Sequence, residues 1–378
     1  MTKLGIAVIG CGVAAQSRHL PALARLGDRY EVSALCDTDP QALKQASVWA
    51  PSCQRFTSVG ELFAHAALFD AVLIATSGDH VTEVRTAVGA GKHVFVEKPL
   101  ALTPEQARPL VGLLDTAPVS CVVGYMKRYS PAVAAALRRV GVASSLRTAR
   151  CELIHPPEDR YLHQVLGRSR PAGGSLLDFV RHRVTDGASA EAMRLALGGE
   201  APMPALIGYF LLATSVIHDV NLLRTALGGD VQVVNAGFWN DGLSGQATLR
   251  SRSGRAGLLS YTFVAAGRYS ETLSLVGDRQ RCAVSFPSPY LAHAPIALDT
   301  ETAPAVAGGD AVTRELFHDD VFAAELIAFH EQAHFDRPAV TSPREALADL
   351  ELVAAIARSA HVIDRNTTRE GNSRAGLG

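Results

Sequence analysis

The chain has little of what would mark it as a nucleic-acid, membrane or disulfide-built protein. Its net charge is −1 over 378 residues, without the basic excess that tracks a phosphate backbone, so no nucleic-acid partner is expected. The six cysteines, Cys11, Cys36, Cys53, Cys121, Cys151 and Cys282, are scattered and form no C-x-x-C pair. Reduced thiols in the cytoplasm follow from that. The longest apolar run, 203–217, contains Pro204 and is too short to span a bilayer, so no membrane partner is expected either. The N-terminus enters a strand directly, so no signal peptide is expected. No repeat at solenoid spacing is visible. What is present is ordinary globular composition, 48% hydrophobic and 19% charged, in a chain long enough for two domains with separate cores.

Residues 4–9 read as a buried strand, followed by a glycine turn and a helix to about Leu26. Strands at 31–36, 71–75, 93–96 and 119–123 alternate with helical stretches at 40–50, around Leu62 and Phe63, at 80–90 and at 104–115. This alternation predicts an α/β fold: an N-terminal Rossmann doubly wound parallel sheet over residues 1–130. The pattern then changes. A helix at 131–140 leads into a strand-like stretch at 146–154, and 156–212 is mixed, with helical periodicity at 188–197. Strands at 231–238, 244–251, 256–263, 271–276 and 281–286 read as a meander. Residues 131–364 are therefore expected to form an α+β domain for substrate binding and oligomerisation, with a large, mainly antiparallel open sheet. Residues 303–310 read as a loop. Amphipathic helices at 317–333 and 343–363 close the chain and can pack back on the first domain. The polar tail 365–378 is expected to be disordered.

Gly10-Cys11-Gly12-Val13-Ala14-Ala15 stands between the first strand and the first helix, where a dinucleotide fingerprint belongs. Gly10 permits the tight turn, Gly12 lets a pyrophosphate approach the backbone, and Val13 and Ala14 open the helix toward it. Asp37 ends the second strand and can accept from a ribose 2′-hydroxyl. An acid there followed by Thr38 favours NAD over NADP, because a 2′-phosphate would be repelled. Thr76 and Ser77 end the third long strand, where small hydroxyl residues suit a nicotinamide ribose. His80 can bond the cofactor or cap the next helix. The strand 93–96 then runs into Glu97-Lys98-Pro99. A lysine at the mouth of a buried strand is costly unless its charge is used or paired, and the proline stiffens the turn and makes a cis peptide accessible. The bland alternative has Glu97 and Lys98 pointing into water.

These pieces, with Gly91-Lys92-His93-Val94 before the Glu-Lys-Pro motif and Gly124-Tyr125-Met126-Lys127-Arg128-Tyr129-Ser130-Pro131 after it, resemble the Gfo/Idh/MocA oxidoreductases. The resemblance is close over 4–131 and looser beyond. It implies an NAD(P)-dependent dehydrogenase or reductase acting on sugars, inositols and related polyols. It also implies a homo-oligomer (dimer or tetramer) joined through the second domain's open sheet, and places Lys98 between nicotinamide and substrate. The family usually adds an Asp-x-x-x-His pair with the histidine as proton acceptor. Here His218 begins a helix that continues as the family's does, through Leu222-Leu223-Arg224 to Gly228-Gly229, but Thr214 stands where the aspartate would. Asp178 and His182 offer a rival pair at the right spacing. With His218 chosen, residues 155–212 become an enlarged segment, a lid or wall for a bulky substrate.

On this reading Lys98 and His218 are catalytic, and Gly10, Gly12, Val13, Ala14, Asp37, Thr76, Ser77, His80, Glu97 and Lys98 bind cofactor. Glu97 orients Lys98 or the ribose. Tyr125 and Arg128 are candidates for substrate hydroxyls, with Tyr161, Asp178, His182 and Asn221 behind them. The substrate expected is a sugar, cyclitol or glycoside, including aminoglycoside-like compounds and nucleotide sugars. A nucleotide-binding sensor of the same fold, suggested by the missing aspartate at Thr214, is the alternative; separately, His218 could be a satisfied core histidine on a buried helix. His330-Glu331-Gln332-Ala333-His334 also fits H-E-x-x-H, which on a helix can hold zinc; Glu345 or Asp349 would have to complete the ligands. The helix's apolar stripe predicts His330 and His334 on its polar side. No metal is expected.

Overall fold

The computed structural model describes residues 3–141, 145–156, 175–185, 187–265, 267–291, 294–303 and 311–363. Its apolar runs become strands β1 (Leu4–Ile9), β2 (Tyr30–Cys36), β3 (Gln54–Phe56), β4 (Ala71–Ile74), β5 (His93–Glu97) and β6 (Cys121–Gly124). They pair in parallel in the order β3-β2-β1-β4-β5-β6. Helices cover both faces, so β4 is buried on every side chain and reads as an unbroken apolar run. The strand order reverses between β1 and β4, which opens a crevice at the carboxyl ends of these strands.

The second sheet runs β14-β13-β12-β11-β7-β10-β9-β8-β15. Its strands are β7 (Leu146–His155), β8 (Val231–Trp239), β9 (Ser244–Ser251), β10 (Ala256–Phe263), β11 (Ser270–Gly277), β12 (Gln280–Phe286), β13 (Ile296–Thr302), β14 (Ala311–Phe317) and β15 (Ala360–Val362). Pairing is antiparallel except for β7 with β10 and β8 with β15. Burial alternates along the strands: Leu259, Tyr261 and Phe263 of β10 point inward while Leu258 is exposed, the period of a half-covered sheet. The inner face is covered by the helices Met203–Thr214 and Ile217–Leu227. The first of these is apolar nearly all round and buried accordingly. Gly208 lets it lie flat on β8, since a Cβ there would stand 2.8 Å from the Phe238 ring.

The last two helices, Val321–Phe335 and Pro343–Ser359, pack back on the first sheet. The Tyr30 hydroxyl donates to the Leu326 carbonyl at 2.5 Å. Val123 of edge strand β6 donates to the Thr341 carbonyl at 3.0 Å, satisfying a donor that the edge would leave open.

Several elements differ from the sequence reading. β3, β13 and β14 were not expected as strands, and the 203–217 run is a helix to Thr214. The helix expected from 317 begins at Val321, because the Asp320 carboxylate accepts from the amides of Phe322 and Ala323 and caps it there. The helix expected to reach 363 ends at Ser359, and the chain then adds β15. Residues 304–310 of the expected loop, and the tail from 364, lie outside the described residues, as does Tyr161. No single helix among the described residues is long and apolar enough to cross a membrane; the two helices at 203–227 pass only as a pair, bent by 68°.

Candidate active site

The crevice is built from the turns that follow β1, β4, β5 and β6. Gly10 has φ +90°, and a Cβ there would meet the Thr76 amide nitrogen at 2.6 Å, so turn geometry and close packing both require glycine. Gly12 faces open space. No acid occupies the first turn after it, and Val13 and Ala14 start the helical turns that continue through Arg25. This is the cradle an anionic pyrophosphate needs. The Asp37 carboxylate spans the base of the turn, accepting from the Cys11 amide at 2.6 Å and the Asp39 amide at 2.8 Å. Thr76 Oγ1 is buried without a hydrogen-bond partner among the described residues, and Ser77 is exposed beside it. An open glycine edge, a fixed carboxylate and an orphaned hydroxyl fit a dinucleotide lying along this rim.

His80 does not cap the next helix with its side chain. It is buried, with Nδ1 2.7 Å from the Pro99 carbonyl and Nε2 3.0 Å from the Thr76 carbonyl, and so ties the β4 turn to the Glu-Lys-Pro turn. The Lys98–Pro99 peptide is cis. Glu97 turns inward: its Oε1 accepts from His19 Nε2 at 2.7 Å and its Oε2 from the Lys98 amide at 3.2 Å. Burial pushes the Glu97 carboxyl up, but the His19 bond and the charges of His19 and Lys98 outweigh that, and the net displacement is downward. Glu325 approaches the same pair from the helix Val321–Phe335. Burial, with the charge of Glu97, holds its carboxyl well above the usual range.

Lys98 crosses to the other half of the molecule, where its Nζ donates to the Thr214 carbonyl at 2.7 Å. The Thr214 hydroxyl bonds back to Phe210, so at this position the backbone, not the side chain, meets the lysine. His218 follows one turn later at the start of its helix. It is buried, its Nδ1 has no partner among the described residues, and its ring lies edge-on to Tyr125 with centroids 5.9 Å apart. Burial, then the charges of Lys98 and Lys127, hold the imidazole well below its ordinary range, so it is neutral at neutral pH.

Lys98 and His218 line one cleft of about 260 Å³ with Lys127, His155, Asp219 and Tyr269. A second cavity of about 390 Å³ shares Met126, Lys127, Pro289 and Tyr290 with it and extends to Arg18 and Trp49.

Other expected residues lie elsewhere. Arg128 donates to Thr225 Oγ1 at 2.6 Å and Asn221 Oδ1 at 3.3 Å, and Asn221 donates to Asp349 at 2.6 Å. Arg224 joins this network through Asp349 and Glu345. The network pins the link after β6 to the His218 helix, and neither Arg128 nor Asn221 lines the cleft. Tyr125 is fully buried behind His218. Asp178 and His182 are exposed; Asp178 exchanges capping bonds with Ser175, while Leu176, Phe179 and Val180 of that helix face the cleft.

The zinc reading does not assemble. His330 is fully buried rather than on a polar side, packed edge-on to Tyr30, and Glu345 and Asp349 are paired with Arg224. The one group of metal-ligating residues found among the described residues is His19, Glu97 and Glu325.

Lys127 and Asp219 also line the cleft, and Glu271 pairs with Lys127, although none of the three is a site candidate from sequence alone. Glu271 was detectable, since it shares inward parity with Leu273 and Leu275 on β11.

Residues 4–125 match the oxidoreductase family with an NAD-binding Rossmann fold, Gfo/Idh/MocA. Among curated proteins, YceM of Salmonella typhimurium, an oxidoreductase by name, is 31% identical over 47% of this chain and 61% of its own length. Inositol 2-dehydrogenase of Burkholderia multivorans is 36% identical over 36% of this chain and 41% of its own. The chain thus matches less than two thirds of either relative. Among solved structures, KijD10, a 3-ketoreductase from Actinomadura kijaniata in complex with NADP and TDP-benzene, superposes with TM-score 0.72. That match has 20% identity and covers 96% of this chain and 99% of KijD10, a likeness of fold through both sheets.

Proposed function

We propose that this chain, whose residues 4–125 belong to the Gfo/Idh/MocA oxidoreductases, transfers a hydride between NAD(P) and a secondary alcohol or ketone of a sugar, cyclitol or glycoside. The observation that carries the reading is the meeting of Lys98 and His218 in one cleft at the crevice of the parallel sheet. When bound, the cofactor supplies the hydride acceptor or donor. The rest falls to the chain. Gly10, Gly12 and the helix behind them hold the pyrophosphate, Asp37 the adenosine ribose, and Thr76 and Ser77 the rim near the nicotinamide. In the oxidising direction neutral His218 accepts the hydroxyl proton. The Lys98 ammonium, held by the Thr214 carbonyl, donates to the same oxygen and favours its developing negative charge. Glu97, anchored on His19, keeps the Lys98 turn in place.

Asp37 supports NAD as the cofactor, although KijD10 carries NADP. The substrate we favour is larger than a monosaccharide, a nucleotide sugar or other anionic glycoside, with its sugar in the Lys98 cleft. Its remainder would occupy the second cavity, where Arg18 offers charge and Trp49 and Tyr290 offer aromatic faces. A second copy of the chain would cover the outer face of the second sheet, where Ile154, Leu258, Val276 and Leu316 are exposed. The six cysteines, none bonded to another, support a reducing cytoplasmic setting.

The test is a panel of keto-sugars, cyclitols and nucleotide sugars with NADH, NADPH and their oxidised forms. Turnover of a sugar or cyclitol with NAD(H) preferred is the expected result. Tight NADH binding with no turnover of any member would replace this reading by the sensor, which the missing carboxylate at Thr214 favours.

A further inference from the structure

A second acid–base cluster lies in the cleft, and the mechanism above does not use it. Asp219, next to His218, is 1% exposed, lines the cleft, and receives no hydrogen bond on either carboxyl oxygen from the described residues. A buried carboxylate without donors is expensive. Its neighbour on β11 is Glu271, also 1% exposed, whose oxygens are both used: one takes the Lys127 ammonium and the other the Tyr269 hydroxyl. Cys151 of β7 stands beside Asp219, and burial together with the Asp219 charge pushes that thiol well up. The two carboxyls are therefore unlike. Burial and the Glu271 charge hold Asp219 well above the usual carboxylate range against the pull of Lys127. Glu271, although burial raises it, is brought below its ordinary value by Lys127 and Tyr269. Two close carboxyls with divergent environments divide into an acid and an anion.

We propose that the Asp219–Glu271 pair holds a single proton and is the proton store on which the cleft draws when a carbonyl is reduced. Lys127 and Tyr269 keep the negative charge on Glu271, and the proton sits on Asp219. This rests on the hydride-transfer reading of the site and adds the source of its proton. Reduction of a ketone forms a carbon–hydrogen bond with the cofactor's hydride, and the carbonyl π pair moves onto oxygen, which must gain a proton. Neutral His218 has a lone pair for a proton but holds no imidazolium proton to give, so it serves reduction as a relay. The Asp219 O–H breaks, its proton passes to His218 inside the cleft, and His218 protonates the new alkoxide. A proton taken up from bulk solvent, passed along water in the cleft, then restores the pair, so each reduction consumes one solvent proton. Charge is conserved at each transfer, and the pair supplies the carboxyl function that Thr214 lacks.

Infrared spectroscopy of the full-length protein, with carbon-13-labelled aspartate, tests the pair without turnover. A protonated-carboxyl stretch that persists at neutral pH, shifts with the label and vanishes in Asp219→Asn is expected. In Glu271→Gln, which keeps Asp219 but removes the anion facing it, the band should weaken at neutral pH, because Asp219 then ionises beside Lys127. Asp219→Asn should bind NADH normally and reduce a ketone about 10- to 100-fold more slowly, with the alkaline limb of the pH profile displaced. No aspartate-derived acid band in the wild type overturns the proposal even if ketones are reduced. So does a folded Asp219→Asn enzyme with wild-type rate and pH profile. A band without reduction of any ketone overturns the hydride-transfer reading, and the pair's role in reduction goes with it.

Discussion

Replacing Lys98 with methionine keeps the length and apolar stem of the side chain and removes only the ammonium. Three consequences can be worked from the structure. The Nζ bond to the Thr214 carbonyl, 2.7 Å long, is lost; a bond from a charged donor contributes about 1.5–3 kcal/mol. Methionine also removes the cost of a half-buried charge, so the net change in unfolding free energy should stay under about 2 kcal/mol. The catalytic loss is larger. A single preorganised donor to a developing oxyanion is worth about 2.7–4 kcal/mol, or 10²- to 10³-fold in kcat. The third consequence is a change in pH dependence. After burial, Lys98 is the foremost charge holding His218 down, so without it the imidazole moves up toward its ordinary range and the acid limb of the rate profile moves to higher pH. NADH binding, followed by fluorescence titration, should change less than about threefold, since Glu97 keeps its His19 partner. Steady-state turnover on a substrate from the panel, measured across the histidine range, reads the other two effects. A variant with turnover within about threefold of wild type would refute the role given to Lys98.

Gly10→Ala should destabilise the protein by about 2–5 kcal/mol, combining the left-handed backbone cost with the 2.6 Å approach to Thr76; urea titration checks this, and NADH binding should fall with it. Arg224→Ala leaves Asp349, which is fully buried, without its cation and should cost about 3–5 kcal/mol in the same assay. His218→Gln tests the neutral imidazole through stability. The folded pKa of His218 lies below its unfolded value, so the unfolded state takes up the proton first. Its contribution is therefore present above about pH 6.5 and lost as pH falls below that. Relative to wild type, the variant should gain up to ~1.4 kcal/mol per pH unit on acidification, and a pH-independent difference would contradict a buried neutral histidine.

The nucleotide-binding half was legible because its signals are local. An apolar run, a Gly-x-Gly turn, a strand-ending acid and the Glu-Lys-Pro turn each specify their own backbone. β3 was not, since only Phe56 of its three residues is buried. β13 and β14 pair with each other and with β12, and little in their own residues announces them. At the site, Lys98 and His218 could be named from the chain, but their linkage through the Thr214 carbonyl could not. Arg128 and Asn221 looked like substrate contacts because an unpaired charge near a motif invites that reading. Their partners Glu345 and Asp349 arrive from a helix far along the chain, and only the fold reveals the pairing.

β7 sits at the centre of the second sheet, between β10 and β11, and this sets an order of events during synthesis. At about 5–20 residues per second, the first sheet has all six strands once Gly124 has emerged. β7 then appears with no neighbour to pair with. Its partners, Ala256–Phe263 and Ser270–Gly277, are made much later, so both its edges stay open, while its apolar side, with Ala149, Cys151 and Leu153, waits for the helix Ile217–Leu227. Chains that stop between His155 and Gly277 would carry a first sheet with all six strands but without its two closing helices, and an incompletely paired central strand. Such chains are the ones to expect in aggregates.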